Sequence, residues 1–256
     1  MKKKHPNISD DLYPIGFIAL LIFGWWLISY LEVVPKFMLP PPESVVKALI
    51  SDRGLLLRHS RVTLIEAFAG LSLSVFFALV LAIVMEEFTT VRKTLYPVLI
   101  ITQTIPTIAI APLLVLWLGY GIAPKVALIF ITCFFPLVIS VLSGFATVDE
   151  DAVRLFSSMG ATRMQILFWI KLPSAVESFF AGLKVSASYS IVGAVIAEWL
   201  GGNDGLGVYM TRVRKSFSFD KMFAVILVVT VISLILLYLI DRLQKKTMRW
   251  KYNVER

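Results

Sequence analysis

Cysteine and histidine are almost missing from this chain. Cys133 is the single cysteine, so no intrachain disulfide can form, and within an apolar run it reads as a small buried hydrophobe. The two histidines, His5 and His59, stand apart and outside the apolar runs, which argues against a metal site or a Ser-His-Asp constellation. No G-x-x-x-x-G-K-[ST] phosphate loop occurs, so the chain cannot cradle a nucleotide in that way. Basic residues are plentiful, with a net charge of +8, but form no stripe interleaved with aromatics, which argues against nucleic acid. Carboxylates near the apolar runs are scarce: Glu66 and Glu198 are the plausible ones. They leave an ion-gradient carrier little to work with. No nucleophile–base pair marks an enzyme, and no cofactor or metal is expected.

Apolar sequence is what the chain has. Of its 256 residues 58% are hydrophobic and the mean hydropathy is +0.82, too apolar for an ordinary soluble domain. Six runs approach or exceed the ~20 apolar residues that span a bilayer. They are roughly 13–31, 64–85, 96–118, 124–146, 179–200 and 222–240. Lipid offers the backbone no partners, so each must be helical, and the expected fold class is all-α. Pro106, Pro112 and Pro136 inside the third and fourth runs predict bends. Lys2, Lys3 and Lys4 precede the first run as in a signal peptide. That run continues through Trp25, Trp26 and Tyr30 without a small-residue cleavage site, so it reads as a retained span. With no repeat or linker, residues 1–256 read as one membrane domain.

Between the first two spans a proline-rich exit, residues 34–43, leads to an expected surface helix over 43–53. Ser44 is a candidate cap, and Val45, Val46, Leu49 and Ile50 form a candidate apolar face. The positive-inside bias favours both termini in the cytoplasm, but modestly: Lys36, Lys47, Arg53, Arg58, Arg61, Lys125, Arg212, Arg214, Lys215 and Lys221 fall on the opposite side. The basic loops also suit anionic lipid head groups. The sequon at Asn7 would then lie in a cytosolic tail and mean nothing.

Residues 149–173 form a polar insert between two apolar spans. Asp149, Glu150 and Asp151 suit a helix start, and Gly160 can end that helix at positive φ. A second amphipathic helix is expected over 163–170, with Pro173 opening the fifth span. Such a helix–turn–helix is either a knob for a soluble partner's cleft or an amphipathic hairpin lying on the membrane.

Residue by residue this insert resembles the cytoplasmic coupling loop of ATP-binding-cassette importer permeases. That loop reads Glu-Ala-Ala, three residues, Gly, nine residues, Ile, any residue, Leu-Pro. Gly160, Ile170, Leu172 and Pro173 match; Arg154, Leu155 and Phe156 replace the triplet. Ala197-Glu198-Trp199-Leu200-Gly201-Gly202 and Gly205-Leu206-Gly207 resemble the family's Ala-Glu and Gly-Leu-Gly pieces. Ile105-Pro106, Ala111-Pro112-Leu113 and residues 116–121 resemble the nitrate, sulfonate, taurine and thiamine-precursor subgroup. Leu39-Pro40 and His59 also fit.

The resemblance implies a type I ABC importer permease: a non-catalytic bacterial inner-membrane subunit with two copies pairing as a homodimer. Each would dock a separate ATPase, which binds the ATP. Coupling candidates are Asp151, Ala152, Arg154, Leu155, Met159, Gly160, Ala161, Thr162, Met164, Ile170, Leu172 and Pro173. An extracytoplasmic solute-binding protein would deliver cargo to an outer mouth expected at residues 35–61 and 201–219. The closest subgroup branch is the hydroxymethyl-pyrimidine thiamine precursors, with sulfonates, taurine, nitrate and riboflavin-type vitamins as alternatives.

Candidates for the path are Thr102, Gln103 and Thr104 on the third span, and Ser186, Tyr189, Ser190 and Gly193 on the fifth. The fifth-span residues form a stripe that either lines a path or lets helices pack closely. Glu198 is either a gate or pairing residue or a solvated end-of-helix charge. Lys184 is expected to snorkel to head groups, and Glu66 to be a partnered acid. Trp25, Trp26, Trp117 and Trp199 read as interfacial anchors.

Overall fold

The computed structural model describes residues 8–249. Lys2, Lys3, Lys4, His5, the Asn7 end of the sequon and the tail beyond Arg249 lie outside the described residues. The described residues are helical, without strands: α1 (Ile8–Tyr30), α2 (Pro42–Ser51), α3 (Arg53–Glu87), α4 (Thr89–Thr104), α5 (Thr107–Leu118), α6 (Ile122–Ala146), α7 (Glu150–Ser158), α8 (Arg163–Ile166), α9 (Leu172–Leu200), α10 (Leu206–Lys215) and α11 (Phe219–Thr247). A π-helical turn, Leu167–Lys171, joins α8 to α9. Among the described residues five helical stretches are long and apolar enough to cross a membrane, and six if α4 and α5 count as one broken span.

Several expectations are corrected. The third span bends at Pro106 as expected, but by 98°, enough to break it into two helices, because Pro106 supplies no N–H and holds the preceding residue extended; Pro112 and Pro136 lie inside the unbroken α5 and α6. The helix that carries the second span begins at Arg53, ahead of Leu64: its first turns carry charge yet continue the same helix. The surface helix starts at Pro42, and Ser44 does not cap it; Pro42 occupies the first turn, where a missing N–H is harmless. That helix buries Val45 and Ala48 against Trp25, Phe223 and Ala224, while Val46 and Ile50 stay exposed. Helix α10 had no counterpart in the sequence reading.

Two compact units emerge, residues 8–57 with 209–228, and 58–208 with 229–249. In the first, Trp25 Nε1 donates to the Pro40 carbonyl at 3.1 Å and Trp26 Nε1 to Glu43 at 2.8 Å, fastening the proline-rich exit to α1. The Tyr209 hydroxyl donates to Asp52, which also pairs with Lys221 at 2.8 Å. Burial works against the Asp52 carboxylate, but the bonds from Lys221, Tyr209 and Ser51 outweigh it and hold its pKa below the ordinary 3.8. Burial and the bond to Asp52 together push the Tyr209 phenol above its ordinary value of 10.0.

The second unit has its core along the α6–α9 seam, with Ile129, Cys133, Leu137, Val138, Ala187, Ile191 and Ala194 fully buried. Small residues permit the approach. A Cβ on Gly144 would lie 2.8 Å from the Ala175 Cα, and one on Gly182 2.5 Å from Ser140. Lys125, read from the sequence as a loop charge, is instead buried in α6 and paired with Glu66 at 2.6 Å. Lys184, expected to snorkel to head groups, pairs with Asp241 at 3.0 Å.

Candidate functional site

The coupling candidates form a corner built by local hydrogen bonds. Asp149 caps α7 by accepting from the Asp151 N–H at 2.9 Å. At the other end Gly160 takes φ +82°; its N–H donates to the Ser157 carbonyl and the Ala161 N–H to the Phe156 carbonyl, both at 3.0 Å. This is a Schellman stop, and glycine suits it. Thr162 then caps α8 in a reciprocal box: its N–H donates to Gln165 Oε1 at 2.7 Å while the Gln165 N–H donates to Thr162 Oγ1 at 3.3 Å. The Thr-x-x-Gln spacing of Thr162 and Gln165 carries that signal in the sequence. The expected second helix over 163–170 is not separate. It runs through the π turn into α9, so Pro173 sits in a first turn rather than at a fresh start.

Two faces result. Ile166 and Leu167 are buried, and Leu172 packs against the core. Leu155, Met159, Met164, Phe168 and Trp169 are exposed, up to 75% for Met159 and Trp169. Arg154, which stands where the resemblance places an acid, pairs with Glu150 at 3.0 Å on its own helix. Ala161 and Ile170 are half-buried; Asp151, Thr162 and Pro173 are exposed and Ala152 half-buried.

The path candidates separate. Thr102, Gln103 and Tyr189 line one recess of about 250 Å³, with Ile105, Thr107, Ile131, Thr132, Phe135 and Pro136. Thr107, Thr132, Phe135 and Pro136 were missed; only the kink expected at Pro136 pointed there. Thr104 is exposed and donates to the Ile101 carbonyl. Ser186, Ser190 and Gly193 face the interior of the α6–α9 packing. Ser186 Oγ donates to the Cys133 carbonyl at 3.0 Å, and Cys133 Sγ donates to the Ser186 carbonyl at 3.1 Å. Of the two readings left open for that stripe, close packing describes these three residues, while Tyr189, 48% exposed, faces the recess.

Glu198 is 2% exposed, so the solvated-charge reading is corrected. Thr63 Oγ1 donates to its Oε1 at 2.7 Å and the Gly207 N–H to its Oε2 at 2.6 Å. The Leu206 N–H donates to Thr63 Oγ1 at 2.9 Å, and the Gly205 N–H to His59 Nδ1 at 3.0 Å. Three consecutive backbone donors of Gly-Leu-Gly are therefore met by α3 and α9. A Cβ on Gly205, at φ +128°, would lie 2.2 Å from the Glu198 carboxyl carbon, and one on Gly207 2.3 Å from the Val195 carbonyl. That accounts for both glycines. Among the described residues no three His, Cys, Asp or Glu side chains group to hold a metal.

The sequence profile of the binding-protein-dependent transport system inner membrane component matches residues 74–249. The chain belongs to that family. This permease is the membrane subunit of an ATP-binding-cassette importer, and ATP hydrolysis resides in a separate subunit. It is 34% identical over 230 residues to a probable ABC transporter permease protein of Haemophilus influenzae, covering 90% of this chain and 94% of that one. It is 31% identical over 252 residues to the formylaminopyrimidine transport permease protein ThiX of Halalkalibacterium halodurans, covering 98% and 99%. Taurine, riboflavin and aliphatic-sulfonate transport permeases also match. In fold, the permease is similar to a chain of the inward-facing MetNI methionine ABC transporter, with a TM-score of 0.68 at 16% identity, covering 76% of this chain and 96% of that one.

Proposed function

We propose that this importer carries a small flat nitrogen heterocycle of the hydroxymethyl-pyrimidine type, a thiamine precursor. The lining of the recess carries this reading. Tyr189 and Phe135 offer aromatic faces for stacking, Gln103 an amide that can pair with ring nitrogens, and no Arg or Lys lines it as a clamp for a sulfonate. Its volume of about 250 Å³ suits a small solute. The relative named for formylaminopyrimidine transport, similar over almost the whole of both chains, supports the same class. A sulfonate or taurine is the second reading, favoured by the taurine permease, 29% identical over 262 residues. Uptake into vesicles by the complete importer decides. Labelled hydroxymethyl-pyrimidine is expected to accumulate with ATP; accumulation of taurine and not the pyrimidine overturns the proposal.

In this reading two copies pair in the membrane with both termini in the cytoplasm. Each docks one ATPase on the corner at residues 149–173, and a binding protein delivers solute from outside. The exposed apolar ridge of Leu155, Met159 and Met164 supports docking. A Cβ on Gly160 would point into open space, so a side chain there alters the surface rather than the packing. Gly160→Glu is expected to abolish co-purification of the ATPase while the permease still inserts; Gly160→Asn, which tolerates the left-handed conformation, is expected to keep it. Undiminished ATPase recovery with Gly160→Glu sinks the docking reading.

A further inference from the structure

The corner at residues 149–173 touches the rest of the chain through one charged contact that neither its motif nor the recess accounts for. Lys171 closes the π turn and donates from Nζ to Glu86 Oε1, near the end of α3. Arg92, in the first turns of α4, reaches the other oxygen, Oε2, at 3.5 Å. The Glu86 side chain is only 10% exposed and Lys171 25%, so the contact is largely shielded from water. It joins residues 85 apart in sequence and meets two helices at once.

Two further observations give the contact direction. π turns are rare, and single ones mark functional sites; each carries one residue more than an α turn, a rotation of about 100° for everything on one side of it. Here that side is the exposed ridge with α7 and α8, and Lys171 is the last residue of the turn. Second, Lys171 also borders a recess of about 330 Å³ together with Glu150, Val153 and Arg154 of α7 and the end of α6. The corner therefore has room to shift on that side, whereas Leu167 anchors the turn in the core.

We propose that the Glu86–Lys171 ion pair, steadied by Arg92, is the strut that transmits displacement of the docking corner to α3 and α4. Through α4 it reaches the break at Ile105-Pro106 and hence the recess holding Thr102 and Gln103. Glu86 and Lys171 are positioning residues: they touch neither solute nor nucleotide. The proposal rests on residues 149–173 being where the ATPase docks.

The test uses the importer reconstituted with its ATPase and binding protein in lipid vesicles, measuring solute moved per ATP hydrolysed. Glu86→Lys and Lys171→Glu are each expected to retain the ATPase and to hydrolyse ATP, but to move about tenfold less solute per ATP. The double exchange is expected to recover to within about threefold of the parent, and Lys171→Arg to lose little. Should Glu86→Lys not accumulate in the membrane, Glu86→Gln carries the same test with a loss of about threefold. Unchanged solute per ATP in the single variants, or a double exchange no better than either, overturns the strut. Loss of bound ATPase in a single variant also overturns it, because the pair then serves docking and not transmission. Failure of the docking reading shows separately, as a Gly160→Glu permease that keeps its ATPase.

Discussion

Replacing Gly205 by alanine adds one methyl group to the Gly-Leu-Gly turn, and the surroundings leave it no room. The new Cβ would sit 2.2 Å from the Glu198 carboxyl carbon and 2.3 Å from its Oε1. Glu198 would have to leave, breaking its bonds to Thr63 and to the Gly207 N–H. The backbone penalty adds to this, since φ +128° is a conformation L side chains rarely adopt. Holding such a residue costs ~1–3 kcal/mol, and each of the two hydrogen bonds contributes ~0.5–1.5 kcal/mol. The lower ends together give about 2 kcal/mol, and at ~2–4 °C per kcal/mol for a chain of this size the melting temperature drops by roughly 4–8 °C. Cys133 provides the assay: it is the only cysteine and is fully buried, so a maleimide dye reports unfolding of the detergent-solubilised permease. Gly54→Ala is the control, with nothing within 4 Å of its Cβ and a helical backbone, and gains ~0.5–1 kcal/mol if anything. A Gly205→Ala melting temperature within ~2 °C of that control refutes the claim that Glu198 occupies the turn.

Three other outcomes follow from the same structure. The pKa of Asp52 is depressed, so its contribution is present above pH 3.8 and is lost as pH falls further. That of Tyr209 is raised, so its contribution is complete below pH 10.0 and is lost as pH rises through the folded value. Melting temperature against pH should therefore fall at both ends, and Tyr209→Phe should remove the alkaline arm and lower the plateau; an unchanged alkaline arm contradicts the assignment. Gly144→Leu should wedge α6 from α9 at a cost of ~1–3 kcal/mol, read by the same dye, whereas Gly16→Leu on α1, with open space around it, should change little. Tyr189→Ala should raise the half-saturating solute concentration for uptake about tenfold and Tyr189→Phe less than about twofold, since stacking needs the ring and not the hydroxyl; equal losses would mean that the hydroxyl, not the ring, matters.

The spans were legible because lipid demands long apolar helices, and the order of motifs along them identified the family. Helix α10 was not, because ten residues with three basic ones look like any polar loop, and its N-terminal support comes from His59 and Thr63, 146 and 143 residues away. Spacing showed that Ser186, Ser190 and Gly193 share a face but not what that face meets. Tyr189, about 100° round the helix from Ser190, escapes the seam. Glu198 was noticed as an acid near a span; that it would be consumed by the Thr63 hydroxyl and the Gly207 N–H could not be read from its own neighbours. The Schellman stop at Gly160 was legible in one residue, because a glycine at the end of an amphipathic run has few other uses.

The break at Ile105-Pro106 sets a boundary condition on the whole transport cycle. Where α4 ends, its last carbonyls lose their helical partners. Thr102 and Thr104 add their hydroxyls to the Leu99 and Ile101 carbonyls, leaving those of the final turn to be met from elsewhere. Hydrocarbon cannot meet them, and each would be left stranded at several kcal/mol. Whatever the importer does, this point along the chain must stay wetted, by water, by protein or by the cargo itself. A break inside a span is thus the one kind of place where a helical backbone, elsewhere closed on itself, takes its hydrogen bonds from outside its own helix.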